Sequence, residues 1–123
     1  AWPRVIERIN IARAADRAAL RVTRALSNGE PCRVVLDGGL RLPQVFLHKT
    51  VIRGDEKIPV IAAASIVAKV HRDNIMRRLE KKFPHYGFSI NKGYGTKRHQ
   101  LALKHFGPSS MHRETFIRNF VSN

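Results

Sequence analysis

The chain has 123 residues and carries 23 Lys and Arg against 9 Asp and Glu, a net charge of +14. At that length a chain buries roughly 65% of the surface its unfolded form exposes, enough for one domain or part of one. Hydrophobic content of 43% beside a charged fraction of 26% excludes a disordered chain, and no apolar run reaches the ~18 residues a bilayer crossing needs. The first residues form no signal peptide. The one cysteine, Cys32, cannot make an internal disulfide or a zinc site, so a reducing, cytoplasmic setting is expected. The charge surplus favours a polyanion such as nucleic acid as partner, because each phosphate contact by Lys or Arg releases condensed counterions. A solvated basic surface is the alternative.

In chain order, the first predicted element is a helix from about Val5 to Leu26. Ala12, Ala15, Ala19, Val22 and Leu26 recur at helical spacing as an apolar stripe, and Arg13, Arg17, Arg21 and Arg24 repeat on another face. The Arg row either grips phosphates or is simply solvated. Ser27-Asn28-Gly29 supplies a stop, with Gly29 able to take the left-handed conformation. Two short aliphatic runs, RVVLD (33–37) and KTVIRGD (49–55), read as strands. The segment between them is too short for a full crossover helix and contains Pro43.

From Pro59 a long helix is predicted to about Phe83, with Pro59 in the first turn and Phe83-Pro84 as its end. Its first half, IAAASIVAKV (61–70), is apolar almost all the way round and is expected to be deeply buried, with Ser65 a small core residue. Ile75, Met76 and Leu79 form an apolar face further along. Residues 85–96 read as a Gly- and aromatic-rich loop without period. Thr96 is placed to cap a helix through about His105, closed by Gly107 and Pro108. Ser109 or Ser110 is placed to cap a last helix through about Asn119.

Asp37 and Asp55 each follow a predicted strand beside a Gly. In open α/β sheets, sites form at the carboxyl ends of strands. Two adjacent parallel strands ending in this way would bring both carboxylates within range of one hard divalent ion, Mg²⁺ or Mn²⁺. The competing readings are a turn-forming Asp before Gly at 37 and a helix N-terminal Asp at 55. Two carboxylates are also too few for a complete two-metal phosphodiesterase site. None of the six histidines shows a ligand spacing, which argues against zinc. NKGYGTK (91–97) lacks the spacing of a nucleotide-binding P-loop. Its Gly-framed Tyr94 beside Lys92 and Lys97 suits stacking on a sugar or base, or ordinary packing in a loop.

Taken together, VVLDGG, VIRGDEKIPVIAAASIVAKVHRD, FPHYGFSINKGYGTKRH and GPSSMHRETF stand in the order and spacing of the C-terminal part of bacterial-type ribonuclease HII. The chain resembles that family from INIARAA at 9 to Phe116. The resemblance implies an RNase H-like α/β fold, with residues 1–123 as a partial nuclease domain. It also implies cleavage of the RNA strand of RNA–DNA hybrids, and incision of DNA 5′ to an embedded ribonucleotide. In such enzymes four carboxylates hold Mg²⁺ or Mn²⁺, and a metal-activated water attacks the phosphorus in line. By the motif match Asp37 and Asp55 are the third and fourth of these acids, both catalytic and metal-binding. Tyr94 matches the tyrosine that packs on the sugar at the RNA-to-DNA junction. Lys92, Lys69 and Arg72 are candidate phosphate contacts. Arg53 stands where the family has Lys, which keeps the charge and changes the geometry.

The family's first strand, carrying DEAGRG and the first two carboxylates, has no counterpart in the sequence. Strands 33–37 and 49–55 would then lose their sheet neighbours, leaving an apolar edge. The expectation is a chain that is marginally stable and inactive alone, completed by a second chain or segment that supplies the missing strands. The rival readings are a non-catalytic basic module that binds RNA or hybrid through charge, and a structural fragment of an assembly.

Overall fold

The helix expected over Val5–Leu26 is two helices, α1 (Pro3–Ile9) and α2 (Ile11–Ser27), in the computed structural model, which describes residues 3–121. Asn10 between them sits at φ 63°, and its side-chain oxygen accepts from the Arg13 amide at 3.0 Å. This positive φ, with ψ at 168°, breaks the helical ladder in a region seldom open to residues other than Gly, and the Asn10 side chain caps the new N-terminus. α2 ends at Asn28 and Gly29, both left-handed at φ 47° and 86°, so the expected stop acts with Asn28 as the cap. The four Arg of the row are exposed. The residues α2 buries are Ala14 and Thr23, and the anticipated stripe is open at Ala12, Val22 and Leu26. An apolar stripe is buried only where a partner covers it, and no described residue covers these.

The chain divides into two units, Ala1–Ile66 and Val67–Asn123. In the first, β1 (Val34–Asp37) and β2 (His48–Val51) pair in parallel, with Val34 opposite His48 and Asp37 opposite Val51. Residues 38–47 make the crossover without a helix. β2 stops short of the predicted 49–55 because Arg53 turns left-handed at φ 55° and opens a one-turn helix, α3 (Gly54–Lys57). Asp55 therefore lies in that turn and not at a strand end. β1 is only half covered: Leu36 is buried and Val35 exposed. The two strands make the whole sheet among the described residues, so each has one unpaired edge.

α4 (Pro59–Lys82) has the predicted length, with Pro59 at its start and Phe83-Pro84 after its end. Its apolar half is not deeply buried. Ile61 is buried, whereas Ile66 and Val67 are 64% and 69% exposed and Ser65 is exposed too. A helix apolar all round needs cover on every side, and the described residues supply it only at Ile61 and further along at Met76 and Leu79.

Residues 85–96 are more ordered than their composition suggests. A 3₁₀ turn (Pro84–Tyr86) and the one-turn helix α5 (Phe88–Asn91) are joined at left-handed Gly87. Tyr86 and Phe88 form the second unit's core with Leu103 and Ile117, and Met76, Leu79, Phe83, Ala102 and Met111 pack against it. α6 (Lys97–Phe106) is capped as expected, the Thr96 hydroxyl accepting from the His99 amide at 3.3 Å. α7 (Glu114–Val121) begins beyond Ser109 and Ser110. Arg113 holds the N-cap position of α7, so neither serine caps it, and the Ser109 amide and hydroxyl instead bond the His112 ring at 3.0 and 2.9 Å.

Candidate functional site

Asp37 closes β1, and its carboxylate is held from two sides. Oδ1 accepts the Gly38 amide and the Gly54 amide, each at 2.8 Å. The second bond ties the end of β1 to the start of α3, seventeen residues on. At both donors a side chain would crowd its neighbours. A Cβ on Gly38 would lie 3.2 Å from the Ile52 Cα, and one on Gly54 would lie 2.6 Å from Ile61 Cδ1 and 3.3 Å from Asp37 Oδ1. With Oδ1 so engaged, Oδ2 has no hydrogen-bond partner among the described residues and is the oxygen free to take a ligand.

Asp55 follows Gly54 directly, in the first turn of α3, with its side chain exposed and unpaired among the described residues. The turn reading of Asp37 and the helix N-terminal reading of Asp55 are both realised locally, and both acids still keep oxygen free. Arg53 does not point away as a free cation. Its guanidinium grips Glu56, Nε and Nη2 donating to Oε1 at 3.0 and 2.8 Å, with Nη2 2.7 Å from Oε2.

The second unit carries the other candidates. Tyr94 is 63% exposed, and the Arg72 guanidinium lies 5.2 Å from its ring centroid. Arg72 also donates from Nη2 to the Lys92 carbonyl at 3.0 Å. It is thus engaged in shaping the Tyr94 turn while one face of the ring stays open. Lys92 takes the left-handed conformation at φ 51°, and its Nζ stands 3.5 Å from Asp73. Lys69 is exposed on α4 with no hydrogen bond or ion pair among the described residues.

Sequence reasoning did not single out Asn91, Asp73, His99 or His112. Asn91 is buried. It donates to the Tyr86 carbonyl at 2.6 Å and accepts the Gly93 amide at 2.8 Å, fixing the turn that leads to Tyr94. The signal was its place before a Lys-Gly pair, where Asn commonly bonds the backbone two residues on. His99 is 3% exposed and lies 2.9 Å, Nε2 to Nε2, from His112. Thirteen residues separate the two in sequence, so no local pattern announces the pair.

As a cation site, Asp37 and Asp55 offer hard carboxylate oxygens of the kind Mg²⁺ and Mn²⁺ take. They fit as part of a ligand set. Among the described residues no group of three or more His, Cys, Asp or Glu is placed to hold an ion. No helix there is long and apolar enough to cross a membrane.

These features define a strongly basic, mixed α/β chain with a fixed acid at the end of a parallel strand. The family model of ribonuclease HII matches residues 40–119. Ribonuclease HII of Syntrophobacter fumaroxidans is 45% identical over 114 residues, covering 93% of this chain and 48% of that protein. The Natranaerobius thermophilus ribonuclease HII is 44% identical over 121 residues, covering 96% of this chain and 60% of that protein. For the Lactobacillus acidophilus ribonuclease HII the figures are 48% over 115 residues, 91% and 44%. The chain belongs to the ribonuclease HII family, a family of hydrolytic endoribonucleases. It spans about half the length of the curated relatives it matches.

Proposed function

We propose that the chain is the part of a ribonuclease HII that supplies Asp37 and Asp55 to the active site and Tyr94 to substrate recognition. The reaction is hydrolysis of the RNA strand of RNA–DNA hybrids, with incision 5′ to single ribonucleotides in DNA. The observation that carries this reading is the bond from the Gly54 amide to Asp37 Oδ1, which holds one acid next to the turn bearing the other and leaves Oδ2 free. Asp37 and Asp55 would hold Mg²⁺ or Mn²⁺, which when bound supplies positive charge to the scissile phosphate and lowers the pKa of water. The exposed face of Tyr94 stacks on the sugar or base at the junction, and Lys69 meets a backbone phosphate. Lys92 joins it if its 3.5 Å pairing with Asp73 yields to a phosphate, and Arg72 acts by shaping the turn. Arg53 serves through its grip on Glu56, which stabilises α3. The net charge of +14 draws the hybrid to the surface. The exposed single cysteine suits a reducing cytoplasm.

In this reading the fold is RNase H-like and residues 1–123 are an incomplete nuclease domain. Its open strand edges and apolar α4 face are covered by strands from another segment or chain, and without them there is no activity. The test mixes the chain with a segment carrying the family's first strand and assays a duplex with one ribonucleotide, in Mg²⁺ or Mn²⁺. Incision lost with Asp37→Asn is the expected result. Asn keeps an oxygen for the two glycine amides, so the fold survives while the anionic ligand is removed. Binding without incision, indifferent to that substitution, would instead establish a non-catalytic hybrid-binding module.

A further inference from the structure

The His99–His112 contact is a bond between two imidazoles, and its ends decide where the protons are. At one end the Ser109 amide, which can only donate, is 3.0 Å from His112 Nδ1. That nitrogen must therefore be the bare acceptor, and the His112 proton sits on Nε2. Nε2 lies 2.9 Å from His99 Nε2, which must then accept. The His99 proton is left on Nδ1, 2.9 Å from the Tyr94 carbonyl, a group that can only accept. Each group donates to the next in one direction only: Ser109 N–H, His112, His99, Tyr94 carbonyl. Both rings are neutral, and a proton added to either would place two donors face to face at one of these contacts.

The surroundings favour this state. Tyr86 and Phe88 flank His112 with ring centroids at 4.8 and 5.4 Å, and Phe88 meets His99 edge-on at 5.7 Å. The groups bonded to the two rings are each other, the Ser109 amide and hydroxyl, and the Tyr94 carbonyl, so no carboxylate is among them to favour an imidazolium. The phenol of Tyr86, whose ring packs on His112, donates to the Gly107 carbonyl. The Tyr94 carbonyl also takes the Thr96 amide at 2.9 Å, and the Gln100 side chain holds the Gly95 carbonyl at 2.8 Å. The turn behind Tyr94 is thus fastened to the start of α6, while the Tyr94 ring stands exposed.

We propose that His99 and His112 are positioning residues for Tyr94: the one-way chain of hydrogen bonds from Ser109 through both imidazoles fixes the Tyr94 carbonyl, and with it the direction of the exposed ring toward the substrate. The proposal rests on the reading of Tyr94 as the residue that packs on the junction. Its structural half is independent of that reading.

The structural half is tested by ¹⁵N–¹H NMR of histidine-labelled intact protein at neutral pH. The expected spectrum has His112 protonated on Nε2 alone and His99 on Nδ1 alone. The opposite tautomer at either ring, or an imidazolium, overturns the chain of bonds. The functional half is read in incision of a duplex containing one ribonucleotide by the chain mixed with the segment that carries the family's first strand. His99→Ala is expected to lower incision by about 10-fold or more, since misplacing a positioning group by about 1 Å costs up to ~100-fold. His99→Asn, whose amide can still donate to the Tyr94 carbonyl, restores much of the loss. In a Tyr94→Ala background His99→Ala should cost nothing further. Equal losses in both backgrounds would show a general structural role and overturn the proposal. If Tyr94→Ala alone leaves incision unchanged, the substrate reading of Tyr94 fails, whatever tautomers the spectra show.

Discussion

Gly54 is the position where sequence, packing and the proposed site meet most tightly, and Gly54→Ala tests the link between them. The added methyl would stand 2.6 Å from Ile61 Cδ1 and 3.3 Å from Asp37 Oδ1. Carbon atoms in contact rest at ~3.5–4.0 Å, so about 1 Å of overlap has to be relieved. Ile61 is 6% exposed, and a forced rotamer there costs about 0.5–1.5 kcal/mol. Overpacking of this kind costs ~1–3 kcal/mol in all. The greater helix preference of Ala returns less than the ~1 kcal/mol it is worth in a helix interior, because residue 54 opens the turn. A net loss of about 1–2 kcal/mol is expected.

Ile61→Val removes the methyl that clashes and by itself costs ~0.5–1.5 kcal/mol. The double variant should therefore be more stable than the sum of the single losses predicts, by about 1 kcal/mol. Urea unfolding of the four proteins measures this coupling. Additivity within ~0.5 kcal/mol would refute the claim that Gly54 is required by contact with Ile61. Incision by the chain mixed with the segment that carries the family's first strand gives a second reading. The clash with Asp37 Oδ1 is not relieved by Ile61→Val, so the double variant should regain stability without regaining full activity.

Asn91→Ala leaves the Tyr86 carbonyl and the Gly93 amide unpaired in a buried turn. A loss of about 2–4 kcal/mol in urea unfolding is expected, and a loss below ~1 kcal/mol would mean that water satisfies both groups. His112 is held near a pKa of about 4, lowered from 6.5 first by burial and then by neighbouring His99. The unfolded chain takes up that proton at higher pH than the folded one. The stability its neutral form contributes is thus complete above pH 6.5 and lost as pH falls toward 4. The ring is half-buried, so after solvent screening about 1–2 kcal/mol is at stake. Urea midpoints across this range should fall for the native chain and fall less for His112→Gln; parallel slopes would remove the histidine from the account. Ile66→Ser with Val67→Ser, on the exposed face of α4, should change the stability of the chain alone by less than ~0.5 kcal/mol per site. The same pair should weaken association with a segment carrying the family's first strand by at least 10-fold, because each side chain buried there contributes about 1.5–3 kcal/mol. Unchanged association in a titration would show that this face is not the one covered.

The elements whose signals are local were legible. Pro59 and Phe83-Pro84 bounded α4, Thr96 capped α6, and two β-branched runs gave two parallel strands. The errors arose where an outcome depends on something outside the local pattern. A helical period runs straight through Asn10, because the period measures side chains while the break is a backbone event at φ 63°. The apolar run 61–70 led to an expectation of deep burial that the structure does not bear out, because a pattern cannot say whether the covering residues are among those described. For the site, the Asp-Gly and Gly-Asp pairs pointed to Asp37 and Asp55. The bond from the Gly54 amide to the Asp37 carboxylate joins residues seventeen apart and has no sequence period. The family model begins at residue 40, just past Asp37, so the part proposed for Asp37 rests on this bond and on the VVLDGG motif.

Arg53 and Lys92 show how the two units meet the same geometric demand. Each is a long basic residue in the left-handed region, at φ 55° and 51°, where Gly would sit without strain. The cost is about 1 kcal/mol at each, so neighbouring groups must hold the backbone there. At Arg53 the holder is Asp37, whose Oδ1 takes the next amide, together with the Arg53 grip on Glu56. At Lys92 it is Asn91, whose carbonyl oxygen takes the Gly93 amide, together with Arg72 on the Lys92 carbonyl. In both cases a buried or half-buried polar side chain takes the amide just after the strained residue. The turn then presents an exposed group close behind it, Asp55 in one unit and Tyr94 in the other. Gly at 53 or 92 would relax the backbone but remove the side chain that helps hold Glu56 or pairs with Asp73. A positive-φ cation, followed by an amide locked to Asp or Asn, is the local device by which each unit turns its candidate residue to solvent.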